Sequence, residues 1–465
     1  MGVGKRSKSK TKVEASLDQA IRFHLDGKLD AAQRLYQHIL NLEPEHFDTN
    51  HLLGVIAFER GELEKSLKHY NVALAKSEFV AELHSNIANS LKELGRHAEA
   101  VNHYKRALFL KPNQADTYYN LATLVHEGKV ESEDTAETYY LKAISLNPNL
   151  ALAFNNLGNL YRDQGKHELA LVQYKSALLR GCAAKLIHPN LARCYESMQR
   201  REESMSHWAQ AVKACADHAK TVLDLSRQWY AVKDFEGSLK AVEVLLQAKV
   251  DLELSLRVEI HETQGLALHA KKGLEQAHQS FSRALALNPE NASVLNNLGN
   301  LFTELGRIDE AILSFERAIR ISPGFADAWS NLGIAHSRIN QFDRAIQCYD
   351  EAIRSQPNYS DAYANKALAL LALGEFALGW SLFEWRWKHS ASSAVIPDYP
   401  APQWRGETSL EGKTLLVIAE QGFGDTIQFA RLLPRLKRFS PLKVLLELPP
   451  VLVSLMAGLS GVFFA

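Results

Sequence analysis

Asn297-Leu-Gly299-Asn-Leu-Phe-Thr-Glu-Leu-Gly306-Arg-Ile-Asp-Glu-Ala311-Ile-Leu-Ser-Phe315-Glu-Arg-Ala-Ile-Arg-Ile-Ser-Pro323 holds the pattern that organises most of this 465-residue chain. Gly299 and Ala311 are small and stand twelve positions apart, and bulky Phe315 follows the second by one helical turn. Gly306 lies between them, and Pro323 closes the stretch. Two helices joined as a hairpin approach closely only where neither carries bulk at the crossing. A glycine between them supplies the turn, and a proline ends the second helix by its missing N–H and its ring. The stretch therefore predicts one helix hairpin.

The same spacing returns about every 34 residues. Ala20/Ala32, Gly54/Ser66, Ala88/Ala100, Ala122/Ala136, Gly158/Ala170, Ala192/Ser204, Ser226/Ser238 and Gly265/Ala277 precede the quoted unit, and Gly333/Ala345 and Ala367/Gly379 follow it. Four residues after each second small site comes an aromatic in ten units, among them Tyr36, Tyr70, Trp208 and Phe281, which predicts core packing. Gly27, Gly61, Gly95, Gly165, Gly306 and Gly374 mark the turns, and Pro44, Pro112, Pro148, Pro289, Pro323 and Pro357 the boundaries. Units six and seven lack the closing proline and the seventh is overlong, so a hinge is expected near Ala248–Glu253. The period and pairing resemble tetratricopeptide repeats. That resemblance implies an all-α, right-handed superhelical solenoid of about 11 hairpins over residues 13–393.

One column is chemically distinctive. The sixth position of the first helix reads Asn86, Asn120, Asn156, Asn190, Asn297, Asn331 and Asn365, with Asp18, Leu52, Asp224 and Thr263 in the other units. In a right-handed stack the first helices line the concave side, so the column becomes a ladder along a groove. Asparagine is a poor helix-interior residue, and its amide offers a donor and an acceptor to an extended backbone. It can equally bond neighbouring helices. The column resembles the asparagine ladder of protein O-linked N-acetylglucosamine transferase repeats, which implies an extended peptide or protein partner.

The last unit carries Gly379-Trp-x-x-Phe383-Glu-Trp385-Arg-Trp387, which reads as a cap or domain junction, or else a sugar-stacking platform. A linker over 394–409 leads to a change of period. Lys413–Ala419 reads as a buried strand, Glu420-Gln-Gly-Phe-Gly-Asp425 as a glycine turn, Thr426–Arg438 as a helix and Val444–Leu448 as a strand. This is a unit of a Rossmann-like α/β fragment. The motifs resemble bacterial tetratricopeptide proteins with a C-terminal GT-B glycosyltransferase domain akin to heptosyltransferases. The resemblance implies an acceptor-side loop at Gln421, Gly422 and Gly424, with Asp425 as general base; a helix N-cap is the other reading of Asp425. Residues 410–465 match only the first part of such a domain, and the donor half is missing.

Bulk composition narrows the rest. The formal net charge is zero, and only a tail over 1–12, with Lys5, Arg6, Lys8, Lys10 and Lys12, is strongly basic and expected to be disordered. Nucleic-acid binding is not expected, nor is a membrane span. Four unpaired cysteines and scattered histidines suggest reduced thiols in the cytoplasm and no metal site. The expected function is a peptide-binding scaffold with a truncated glycosyltransferase-like domain, needing no cofactor. The alternative is an O-linked glycosyltransferase using a nucleotide sugar, whose repeats recruit the acceptor polypeptide.

Overall fold

The computed structural model describes residues 3–131, 134–388, 402–406, 408–419, 422–439, 441, 443–459 and 462–464, with backbone only at 3–11, 437 and 464. The chain divides into two compact units, Met1–Asn288 and Pro289–Ala465.

The first unit holds sixteen helices in eight hairpins. They are α1 (Val3–Leu25), α2 (Leu29–Leu42), α3 (Phe47–Glu59), α4 (Leu63–Lys76), α5 (Ala81–Glu93) and α6 (His97–Leu110). Next come α7 (Ala115–His126), α8 (Ala136–Leu146), α9 (Ala151–Asp163), α10 (His167–Leu179) and α11 (Ala184–Ser197). The unit closes with α12 (Arg201–Ala214), α13 (His218–Ala231), α14 (Phe235–Gln247), α15 (Leu254–Ala270) and α16 (Leu274–Leu287). Helix α1 starts at Val3, inside the segment that composition assigns to a disordered tail; its lysines and arginine are good helix formers. Ala248–Glu253 is no boundary between units. Ala248 is buried, and Val250 and Leu252 pack against the core shared by α12 to α15.

Small residues and rings interlock as the spacing predicts. A Cβ built on Gly54 would stand 2.3 Å from Tyr70 Cε1, and one on Gly158 2.6 Å from Tyr174 Cε1. Tyr36, Tyr70, Tyr104, Tyr140, Tyr174, Trp208 and Phe281 are all fully buried. In the seventh hairpin the two small residues touch directly, with Ser226 Oγ 2.9 Å from Ser238 Oγ.

Each hairpin turns in the same way. After the first helix one residue takes the left-handed conformation, and the next N–H donates to the carbonyl five residues earlier, as in Lys28 N to Phe23 O at 2.8 Å. Gly27, Gly61, Gly95, Gly128 and Gly165 occupy the left-handed position in the first five hairpins. Gln199, Lys233 and Lys272 occupy it, at φ 58°, 64° and 63°, in the next three. Side chains there carry a steric cost that glycine avoids.

Hairpin six contains a proline inside a helix. Pro189 lies in α11, where it cannot donate to the carbonyl of Lys185 four residues earlier. His218, at the start of α13, supplies the missing donor: its Nε2 lies 2.9 Å from Lys185 O.

The second unit begins with three hairpins: α17 (Ala292–Glu304), α18 (Ile308–Ile321), α19 (Ala326–Arg338), α20 (Phe342–Ser355), α21 (Ser360–Leu373) and α22 (Phe376–Phe383). Asn340, at φ 58°, takes the turn position between α19 and α20. Phe315 and Tyr349 are fully buried, while Phe383 in the last hairpin is only half-buried. Trp385 stacks on Tyr363 with ring centroids 3.9 Å apart, and Lys388 Nζ sits 3.8 Å from the Trp385 centroid. A ring so close to Tyr363 leaves room for the ammonium only on the other face, so both faces of Trp385 are occupied and it serves as packing. Of the expected linker 394–409, Trp404 is held by its Nε1 donating to Thr408 O at 2.8 Å and by an edge contact with Phe439.

The α/β fragment is small. Strands β1 (Thr414–Ile418), β2 (Lys443–Glu447) and β3 (Phe463–Phe464) form a parallel sheet in that order. Thr414 pairs with Lys443 and Ile418 with Glu447. Helix α23 (Phe423–Ala430) connects β1 to β2, and α24 (Pro450–Met456) connects β2 to β3. The helix expected over Thr426–Arg438 stops at Ala430 and continues as a 3-10 turn over Leu433–Phe439. Pro434 explains the break, since it lacks an N–H and disfavours helical backbone at Leu433. Ala430, Leu433, Leu446 and Met456 form a small core, and β1 is half-exposed where a buried strand was expected. Three short parallel strands do not amount to a Rossmann domain.

Candidate functional site

The asparagine column is half-buried on successive first helices, and its amides run from one helix to the next. In the first unit Asn86 Nδ2 lies 2.9 Å from His51 Nε2, and Asn120 Nδ2 donates to Asn89 Oδ1 at 3.0 Å. Asn156 Nδ2 donates to Tyr119 Oη at 3.1 Å, and Asn190 Nδ2 to Asn155 Oδ1 at 3.0 Å. In the second unit Asn331 Nδ2 donates to Asn296 Oδ1 at 2.9 Å, reproducing the Asn190–Asn155 geometry. Asn297 stands on α17 and Asn365 on α21, both half-buried. Bonding to neighbouring helices, one of the two readings the sequence left open, is therefore part of what the column does. One amide proton of each bonded residue is committed along the stack.

A second set of polar residues supports the first. Asn89 and Asn159, three residues after the column, accept from the buried phenols of Tyr104 and Tyr174 at 2.7 and 2.9 Å. Burial pushes both phenols well above the usual tyrosine range, so they remain donors. His51, the partner of Asn86, is held below the usual histidine range by burial, so it accepts as a neutral ring. Sequence reasoning missed these partners, although the doublets Asn155-Asn156 and Asn296-Asn297 were a legible signal. In hairpin six, Arg193 replaces the asparagine and Trp208 the tyrosine, and the guanidinium carbon lies 5.7 Å from the ring centroid.

The C-terminal loop is simpler. Gly422 is the N-cap of α23, Gly424 follows within the first turn, and Asp425 is the third residue of the helix, exposed to solvent. Asp425 is thus not the N-cap; a carboxylate in a first turn is favoured by the helix dipole. Gln421 lies outside the described residues.

Away from the column, two histidine pairs occupy equivalent positions in hairpins three and six. His84 Nδ1 lies 2.9 Å from His103 Nδ1, and His188 Nδ1 3.0 Å from His207 Nδ1. Burial, reinforced by the partner ring, holds His103 low and pushes His207 down to about 4. Among the described residues no group of three or more potential ligands could hold a metal ion, and no helix is long and apolar enough to cross a membrane. Cys182, Cys194 and Cys348 are free and buried, with thiols pushed up by burial.

Family models described as tetratricopeptide or TPR repeats match residues 18–81, 88–127, 139–172, 265–304, 299–340, 326–359 and 348–379. The chain is 42% identical over 65 residues to Protein FlbA of Caulobacter vibrioides, covering 14% of this chain and 11% of that protein. It is 28% identical over 107 residues to the human Cell division cycle protein 16 homolog, covering 21% and 17%. It thus spans under a fifth of these relatives' length. Among solved structures, MamA is 23% identical over 34% of this chain and 91% of its own, at a TM-score of 0.31. YrrB, described as a TPR protein with an unusual peptide-binding site, is 22% identical over 48% and 95%, at 0.26. Yeast Tom70 is 15% identical over 81% and 91%, at 0.31. With helix hairpins, small-residue crossings and these repeat models along both units, the chain belongs to the tetratricopeptide-repeat proteins.

Proposed function

We propose that this protein is a scaffold that binds an extended peptide or protein segment along the first helices of its repeats, with the asparagine column at the centre of the contact. The observation that carries this reading is the repetition itself. Half-buried amides recur at one helical position in seven of the eleven repeats, with Oδ1 of Asn86 and Asn120 taking no hydrogen bond among the described residues. Two neighbouring acceptors one repeat apart, within a column of amides at repeat spacing, suit a partner that is itself extended. Free, buried cysteines suit a reducing compartment such as the cytoplasm. The test is isothermal titration of the full chain with a peptide library, using Asn120→Ala, Asn156→Ala and Asn190→Ala together. The reading requires weakened binding; unchanged affinity for every peptide bound would remove the column from the contact.

A second reading has its own support. Gly422, Gly424 and Asp425 lie just beyond the C-terminal end of β1 and at the start of α23, the place where open α/β sheets bind ligands. In this reading residues 410–465 belong to a glycosyltransferase-like domain, joined by a linker over 394–409 to the solenoid over 13–393. Asp425 would take the acceptor hydroxyl proton, with Gln421 in the same loop. A nucleotide-sugar donor would need a binding domain beyond the described residues. Saturation-transfer NMR with simple acceptor sugars, comparing the chain with Asp425→Asn, tests it. No transfer signal in either protein would remove it.

A further inference from the structure

We infer that the segment bound by the first unit is positively charged, rich in lysine and arginine; this rests on the peptide-binding reading above and specifies its partner. The column position of hairpins two to five, held by Leu52, Asn86, Asn120 and Asn156, is flanked by carboxylates along the same helices and their C-caps, on both sides in hairpins two to four and on one side in hairpin five. Four residues before it stand Asp48, Glu82 and Asp116, and seven residues after it stand Glu59, Glu93, Glu127 and Asp163. Helix geometry puts these offsets on the column's own face, one turn before it and two turns after it. All seven are exposed.

Three Lys or Arg side chains and two histidines lie within ion-pair distance of four of them, and the other three stand without one among the described residues. Lys111 reaches Glu82 at 2.7 Å, Lys92 reaches Glu93 at 3.4 Å, and Arg162 reaches Asp163 at 2.9 Å. His24 lies 4.0 Å from Glu59 and His126 3.4 Å from Asp163. Asp48, Asp116 and Glu127 make no ion pair among the described residues. His51, beside the column, is kept neutral by burial. The chain as a whole is balanced at net charge zero, so this excess is local to one face. The next hairpins differ. There Arg193, Lys220 and Arg227 replace the acidic and amide residues, and Lys220 and Arg227 are tied to Glu259 at 3.1 and 2.9 Å.

The column's amides point to the same partner. Their Nδ2 groups are turned along the stack to His51, Asn89, Tyr119 and Asn155, which leaves acceptor oxygens of Asn86 and Asn120 for the ligand. Acceptors between two rows of carboxylates recognise donors that carry positive charge, and Lys and Arg are side chains that are donors only. Complementary rows of this kind steer association and select against acidic segments.

The experiment uses the full chain and three fluorescent peptides of equal length, one Lys/Arg-rich, one Ser/Ala-rich and one Asp/Glu-rich. Anisotropy is read at low and at moderate salt. The basic peptide should bind most tightly, and binding should weaken about tenfold or more with salt. Asp48→Asn, Asp116→Asn and Glu127→Gln together should weaken it about tenfold and flatten the salt dependence. Glu64→Gln, Glu99→Gln and Glu168→Gln, on the second helices, should leave it unchanged; circular dichroism and melting check both variants. An equal loss in the second-helix variant would mean diffuse charge attraction and overturn the inference. Tighter binding of the neutral or acidic peptide, still lost on Asn120→Ala, would overturn the charge preference while leaving the groove reading intact. Binding of the basic peptide that ignores both the asparagines and these carboxylates would overturn both.

Discussion

Gly299 and Phe315 are fitted to each other: a Cβ at position 299 would stand 2.5 Å from Phe315 Cε1, inside any permitted contact. Phe315 is fully buried, so the ring has little room to retreat. Other hairpins tolerate alanine at the matching site, as Ala88 does against Tyr104. Gly299→Ala should therefore fall within about 1 kcal/mol of the native protein, because gained helix propensity offsets ring displacement. Gly299→Val should destabilise by about 2–3 kcal/mol through overpacking. Urea unfolding of both variants decides; a neutral valine would mean the crossing is looser than described.

The His188–His207 pair sets a pH dependence. Burial and the partner ring favour the neutral form, so the folded chain binds fewer protons than the unfolded chain as pH falls from about 6.5 towards 4. Stability should be full above the unfolded histidine range and decline across that window. His103 shifts in the same direction and should add to the decline. Melting temperature followed from pH 7.5 to 4.5 should fall less steeply in His207→Phe, and an identical slope would place the sensitivity elsewhere.

Gln199, Lys233 and Lys272 hold a left-handed turn that glycine fills in the first five hairpins. Replacing any one by glycine removes a strain of about 1–2 kcal/mol, less the entropy that glycine gains in the unfolded chain. Each substitution should raise stability by up to about 1 kcal/mol, and the three should add because they lie in separate hairpins. Thermal melts of the single and triple variants test this; a fall in melting temperature would refute it.

In the second unit, Asn297→Ala, Asn331→Ala and Asn365→Ala together should weaken partner binding. They should also carry a modest stability cost, because Asn331 donates to Asn296 at 2.9 Å. One hydrogen bond of this kind contributes about 0.5–1.5 kcal/mol. Titration against a bound peptide and parallel unfolding separate the two effects. A stability loss with no change in affinity would assign this half of the column to structure alone.

The hairpins were legible because packing at close range allows few solutions. Gly299, Ala311 and Phe315 must have those sizes at those positions, and a one-dimensional pattern records that directly. The turn at Lys272 was not legible, since a left-handed lysine looks like any surface lysine until its backbone is seen. Nor was the packing of Val250 and Leu252, where an overlong unit suggested slack. The column is one helical position in the sequence. Its rungs depend on residues 31 to 37 positions away, such as Asn89 and Tyr119, and spacing within one helix does not reveal them. In the α/β fragment the order of strand, turn and helix was readable. The early stop of α23 followed from Pro434, which the helical pattern around it concealed.

Pro189 and His218 make one hairpin unfinished without its successor. A free carbonyl inside α11 is completed by a side chain that arrives only with α13. Solenoids are usually divisible at their repeat boundaries, yet here the cut after α12 is not equivalent to the others. During synthesis, the sixth hairpin emerges with its backbone still waiting for a group some thirty residues behind it. Docking of hairpin seven thereby gives hairpin six a backbone hydrogen bond that its own two helices do not supply, and ties the pair across their boundary.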